Sequence, residues 1–259
     1  MPNEPIVAPP ADFADEPMLG FLKKAFAAHS NLVKPREVWY RGQANKDWNL
    51  LPGLFRSRNA LSQEERAYRE WMRRAELIDK AENNDWNHLF NMQHFGVPTR
   101  LLDWTESFAI AVGFSLVFSN YGESSIPRIF LLDPYALNKK TTGRDRVFEI
   151  PDDKTISYRQ TYIEGQGIMP IGPVAVRPSN YSLNRRADNQ AGVFTIHDNS
   201  VQPVNDQPKE IVTSFTIEKD EIPGARLFLR LSHVNAYTIY PDFGGLAGYI
   251  RAMLTSENK

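Results

Sequence analysis

The chain has 259 residues, 42% of them hydrophobic and 12% aromatic, enough for a substantial packed core in one large domain or two small ones, so disorder is excluded as the default. Lys and Arg (30) nearly balance Asp and Glu (31), and the formal charge of −1 excludes any long-range pull toward nucleic acid or anionic lipid; such binding would need a local basic patch. There is no cysteine, which removes disulfides, thiolate metal sites and Cys nucleophiles together and fits a reducing, cytoplasmic compartment.

Residues 1–17 are rich in proline and acidic side chains and are expected to form an extended arm, leaving 18–259 as a single domain. This stretch lacks a basic region followed by an apolar run of signal-peptide length. No later segment reaches the ~18 uninterrupted apolar residues of a membrane span, so a soluble protein that neither spans a membrane nor is exported is expected. MLGFLKKAFAAHSNLV reads as a helix, and Glu37-Val38-Trp39-Tyr40-Arg41-Gly42-Gln43 as a short strand ending in a polar turn.

Ser62 to Asn91 reads as a helix or helix pair, with Ser62 and Glu65 as a capping box and Trp71, Leu77, Ile78, Trp86 and Phe90 as apolar contacts. Its basic strip of Arg69, Arg73, Arg74 and Lys80 reads mainly as a solvated face. The segment Met92 to Leu116, MQHFGVPTRLLDWTESFAIAVGFSL, places His94, Arg100, Asp103, Trp104, Thr105 and Glu106 within a few residues of an apolar helix, expected over Phe108–Phe118 with Thr105 as its cap. Such chemical diversity beside a hydrophobic helix is costly to bury unless the groups satisfy one another, which marks the segment as a candidate site.

Arg128-Ile129-Phe130-Leu131-Leu132 reads as a strand that exits at Asp133-Pro134, Asp152 to Ser182 as a long loop, and VFEI, GVFTIH, EIVTSFTI and ARLFLRL as a sheet-rich run. Pro241-Asp242 before Gly244-Gly245 opens a last helix, where a carboxylate is favourable. The fold class expected is α+β, a helical N-terminal half packed on a β-rich C-terminal half.

The pairing of Trp39-Tyr40-Arg41-Gly42-Gln43 with Gln93-His94-Phe95-Gly96-Val97-Pro98-Thr99-Arg100-Leu101-Leu102-Asp103-Trp104-Thr105 resembles the FRG domain family. Arg185-Arg186-Ala187-Asp188-Asn189-Gln190-Ala191-Gly192-Val193-Phe194 and Tyr240-Pro241-Asp242-Phe243-Gly244-Gly245-Leu246 fit it too, so the resemblance spans roughly residues 30 to 250. A more distant similarity is to ADP-ribosyltransferases: a strand ending in Tyr-Arg-Gly, then a Ser/Thr-containing turn running into an Ala- and Phe-rich helix. In those enzymes the Arg holds the NAD diphosphate or ribose, a Ser/Thr motif supports the nicotinamide pocket, and a later Glu stabilises the ribosyl cation. The resemblance implies that Tyr40, Arg41, Gly42, Arg100, Trp104 and Thr105 bind NAD as substrate and that His94, Asp103, Glu106 and Gln190 complete the chemistry. Gly192 stands where such transferases carry Glu, so the carboxylate must come from Asp103, Glu106 or Asp242.

That resemblance implies an ADP-ribosyltransferase-like toxin or antiphage effector acting on a macromolecular acceptor, protein or nucleic acid, with a possible neutralising partner. Two other readings stay open. One is a non-catalytic binding module in which the polar cluster is a buried network: Arg100 with Asp103 as an internal ion pair, Trp104 as core, Thr105 as cap. The other is a metal-dependent nuclease, which requires Asp103, Glu106 and Asp242 to converge on Mg²⁺. The remaining histidines, His29, His88, His197 and His233, show no His-x-x-x-His spacing, and no resident metal is expected. Phosphate-loop, nucleophile-elbow and dinucleotide-fold glycine motifs are absent from the sequence.

Overall fold

The computed structural model describes residues 17–78, 84–116, 125–153, 156–167, 169–179 and 189–256. The extended arm expected over 1–17, Lys80, and Arg185-Arg186-Ala187-Asp188 lie outside them, apart from Pro17. Seven strands form one sheet in the order β4-β5-β6-β2-β1-β3-β7. They are β1 (Trp39–Gln43), β2 (Leu101–Thr105), β3 (Arg128–Leu132), β4 (Phe148–Ile150), β5 (Val174–Pro178), β6 (Gly192–Ile196) and β7 (Val212–Thr216). Every pairing is antiparallel except β4 with β5.

The helices are α1 (Pro17–His29), α2 (Gly53–Arg56), α3 (Ala60–Ile78), α4 (Asp85–His94), α5 (Phe108–Leu116), α6 (Pro134–Thr142), α7 (Ile222–Leu231), α8 (Ala236–Ile239) and α9 (Phe243–Ser256). Strands and helices therefore mix along the chain. The expected division into a helical first half and a β-rich second half does not hold, because β1 and β2 stand at the sheet's centre and α7, α8 and α9 close the chain.

Alternation along the strands assigns each side chain to a face. Trp39, Leu102, Trp104, Phe130, Leu132, Ala175 and Val193 share one apolar cluster with Leu137 of α6 and with Leu50 and Val204. The other face is divided between two clusters. Leu101, Phe148, Val174, Val176, Phe194 and Ile196 pack with Tyr68 of α3 and Trp86, Leu89 and Met92 of α4. Ile129, Leu131 and Phe215 pack with Phe21 of α1, Ala111, Val112 and Leu116 of α5 and Ala225 and Leu229 of α7.

Several local expectations change. ARLFLRL alternates like a strand but lies in α7, because Pro223 suits a helix's first turn and Ile222, Ala225, Phe228 and Leu229 fall at helical spacing. The stretch 152–182 is not one loop; it holds a π-helical turn, Arg159–Ile163, and β5. Ser62 and Glu65 form no capping box, since α3 already begins at Ala60: the Ser62 hydroxyl donates to the Asn59 carbonyl (2.9 Å) and Glu65 pairs with Arg69. Leu77 and Ile78, expected as contacts, are exposed.

Thr105 ends β2 rather than capping α5. Ser107 is the cap, its Oγ accepting the Ile110 N–H at 3.3 Å. α5 itself is buried almost all round, as its uninterrupted apolar sequence requires.

α5 crosses β1 at Gly42, where the approach is closer than a side chain permits. A Cβ built there would sit 1.8 Å from the Ala111 carbonyl oxygen, 2.8 Å from its carbon and 3.0 Å from the Ser115 nitrogen. The space beside the glycine is thus filled by helix backbone. Gly42→Ala is expected to destabilise by about 3 kcal/mol, since backbone cannot step aside. Gly53→Ala, whose Cβ would meet its nearest atom at an ordinary 3.5 Å, should change stability little. Urea midpoints of the two variants check both.

Candidate functional site at the joint of the two central strands

β1 and β2 pair through a single register position, Tyr40 opposite Thr105, whereas β2 with β6 and β1 with β3 pair over five. Beyond that position Arg41 bridges the two strands: its Nη1 donates to the Asp103 main-chain carbonyl at 2.6 Å and lies 3.7 Å from the Asp103 carboxylate. A guanidinium thus satisfies a carbonyl that a ladder N–H would otherwise reach. The Asp103 carboxylate is half-exposed and also accepts from Gln93 Nε2 (2.8 Å), while Thr99 Oγ1 donates to Gln93 Oε1 (2.6 Å). Gln93, on the last turn of α4, is thereby fixed from both ends of its amide.

Burial pushes the Arg41 pKa down; Asp103 opposes this and the nearby Arg56 guanidinium adds to it. Arginine keeps its charge under such pressure, so the outcome is a mostly buried cation facing a second one with a single carboxylate between strands as counter-charge. Among the described residues the buried Arg41 Nε has no hydrogen-bond partner, and neither has Oε1 of Gln43, two residues along the same strand. Gln43 and Gln93 were named in the sequence only as members of the FRG motifs and Arg56 not at all, and none was a candidate site residue; for Gln43 the alternation that puts it on the Arg41 face was a further signal.

The other residues picked from the sequence go to separate places. Tyr40 packs edge-on against Phe108 of α5 (5.5 Å between ring centres), and burial raises its pKa. Arg100 does not pair with Asp103. It is fully buried and forms a two-pronged ion pair with Glu64 of α3, donating also to the His197 carbonyl (2.9 Å) and lying over the Tyr162 ring. Tyr158 donates to the same Glu64 at 3.0 Å. Trp104 is core, its indole N–H donating to Thr195 Oγ1 at 3.1 Å. Thr105 donates to the Gln190 carbonyl (2.6 Å) and accepts the Ser107 N–H (3.0 Å).

Gln190 Nε2 donates to the Ile239 carbonyl at the end of α8 (2.9 Å). His94 ends α4 beside Phe95. Glu106 shares the Arg177 guanidinium with Glu37, and its pKa is raised, first by burial, with Arg177 opposing and Glu37 adding. Asp242 accepts the Gly245 N–H (2.9 Å) at the start of α9. Asp103, Glu106 and Asp242 thus serve three different partners. No group of three or more His, Asp or Glu among the described residues is arranged to hold a metal ion. The strip on α3 is neutralised locally: Arg69 pairs with Glu65, and Arg73 and Arg74 with Glu70.

Residues 36–122, about a third of the chain, match the family model of the FRG domain. That match supports the FRG family, and the segment holds β1, β2, α5 and the whole Arg41–Asp103 joint. No curated protein and no solved structure matches the chain.

Two outcomes are expected from the network around Arg100. Arg100→Ala should cost about 3–5 kcal/mol by stranding the buried Glu64 carboxylate, and the double variant Arg100→Met with Glu64→Leu should lose far less, as urea unfolding will report. His197, buried with its Nε2 3.1 Å from Thr195 Oγ1, has a pKa lowered to about 3, chiefly by burial, with Asp198 opposing and Arg100 adding. The unfolded chain takes up this proton near pH 6.5 and the folded one does not. Stability should therefore fall as pH drops from about 6.5 toward 3, by up to about 1.4 kcal/mol per pH unit, and that part of the slope should vanish in His197→Gln.

Proposed function

We propose that the Arg41–Asp103 joint binds the diphosphate of a dinucleotide, and that the protein is an ADP-ribosyltransferase-like enzyme with NAD as its substrate. The observation that carries the reading is the mostly buried Arg41 guanidinium with an unpartnered Nε, backed by Arg56 and balanced only in part by Asp103. Such a cation recognises phosphate oxygens by charge-assisted hydrogen bonds in a fixed fork. Asp103, held by Gln93 yet half-exposed, supplies the carboxylate that Gly192 cannot.

In this reaction the bond between ribose C1′ and the nicotinamide nitrogen breaks, the electron pair leaves with nicotinamide, and the ribose becomes cation-like. The Asp103 carboxylate stabilises that charge at short range. An acceptor nucleophile then bonds to C1′ and gives up its proton to solvent, yielding an ADP-ribosylated protein or nucleic acid, or free ADP-ribose where water is the acceptor. A toxin or antiphage effector with a neutralising partner is the biological role consistent with this chemistry.

One observation favours a non-catalytic FRG binding module instead. Gly192 is buried in β6 opposite Thr105, and Arg100, Trp104, Thr105 and Gln190 are engaged in internal bonds. Much of the conspicuous polar segment is therefore structural.

Incubation with NAD, alone and with cell lysate or RNA, and chromatography of released nicotinamide separates the two. The wild type should release nicotinamide and Arg41→Ala should not. Because Arg41 also ties β1 to β2, Arg41→Lys serves as a second variant that keeps the charge on a single donor nitrogen but loses the fork, and its release should fall at least tenfold. Full release by a folded Arg41→Ala protein would overturn the assignment, and no release by the wild type under any condition favours the binding module.

A further inference from the structure

Resting on the reading of Arg41 as a phosphate-binding residue, we infer that Gln43 is a ligand-binding residue that reads a sugar hydroxyl next to that phosphate. Residues two apart in a strand point to the same face, about 7 Å from each other, so Gln43 and Arg41 address one space. Gln43 is 5% exposed, and its buried Oε1 has no hydrogen-bond partner among the described residues. An unsatisfied buried amide oxygen gives up its hydration with no bond in return, whereas leucine at this position would carry no such penalty. The amide is therefore a poor choice for packing.

The arginine opposite it in the sheet does not answer it. Arg128, opposite Gln43 in β3, donates Nε and Nη2 to Ser214 Oγ (3.0 and 2.8 Å) and Nη1 to the Lys46 carbonyl (3.2 Å). Among the described residues this strand thus leaves an acceptor, Gln43 Oε1, and a cationic donor, Arg41 Nε, both buried and without a hydrogen-bond partner. Their complement is a group that offers a hydroxyl proton beside an anionic oxygen. A phosphorylated ribose has both, and inorganic pyrophosphate has the anionic oxygen without a sugar hydroxyl.

Calorimetric titration with ADP-ribose and with inorganic pyrophosphate tests the assignment on wild type, Gln43→Leu and Arg41→Lys. The wild type should prefer ADP-ribose. Gln43→Leu should bind ADP-ribose at least tenfold more weakly, bind pyrophosphate within twofold of wild type, and melt no lower. Arg41→Lys should weaken both ligands. Unchanged ADP-ribose affinity in Gln43→Leu overturns the role of Gln43 while leaving that of Arg41 standing. A melting temperature several degrees lower, or failure of Gln43→Leu to fold, shows a structural amide and overturns it equally. If neither ligand binds the wild type, the Arg41 reading falls together with it.

Discussion

The backbone of α5 lies directly on Gly42, and the arrangement at the sheet's centre follows from that contact. A helix seated this close fixes the height of β1 on one face, so Tyr40 packs on Phe108 there while Trp39, Arg41 and Gln43 project from the other. β1 keeps full pairing with β3 but meets β2 at one register position. The weak joint is then closed by a side chain, Arg41 to the Asp103 carbonyl, instead of by a ladder. A bond made by a guanidinium can be shared with an anion in a way that a backbone N–H inside a sheet cannot.

Around this joint the protein spends its polar groups unevenly. The Arg100–Glu64 pair is wholly buried, and its charges are answered by His197, Tyr158 and the Tyr162 ring, which locks α3 to β2 and to the segment after β6. Such a pair contributes little net stability against an apolar substitute, but it penalises any arrangement that separates its members. It therefore fixes the geometry of the β2 entry, three residues before Asp103. Thr99 and Gln93 extend that order to the Asp103 carboxylate itself.

Much of the sheet was legible in the sequence because its strands announce themselves locally. Trp39–Gln43 and Arg128–Leu132 are short β-rich runs bounded by turns, and Phe108–Leu116 can only be a buried helix. ARLFLRL misled because its alternation mimics period two, and Pro223 just before it was the signal for a helix start. β5 was hidden between Pro173 and Pro178. The cap of α5 moved from Thr105 to Ser107 because two hydroxyls stand two residues apart and both bond locally. The partner of Arg100 was beyond reach for another reason: Glu64 lies 36 positions away, on α3, while Asp103 stands only three positions off along the chain.

The same distinction bears on which residues of the conspicuous segment are open to chemistry. Arg100, Trp104, Thr105 and Gln190 each give a hydrogen bond to a defined internal partner, so a ligand that engaged those donors would first have to break a bond already made. Arg41 and Gln43 retain a buried donor and a buried acceptor that nothing among the described residues uses, and Asp103 keeps half its surface in water. Recognition is cheapest where the fold has left polar capacity unspent. By that measure the motif-rich turn after α4 is chiefly a frame, and it is the short strand Trp39–Gln43, which carries fewer polar residues, that keeps polar atoms unengaged among the described residues.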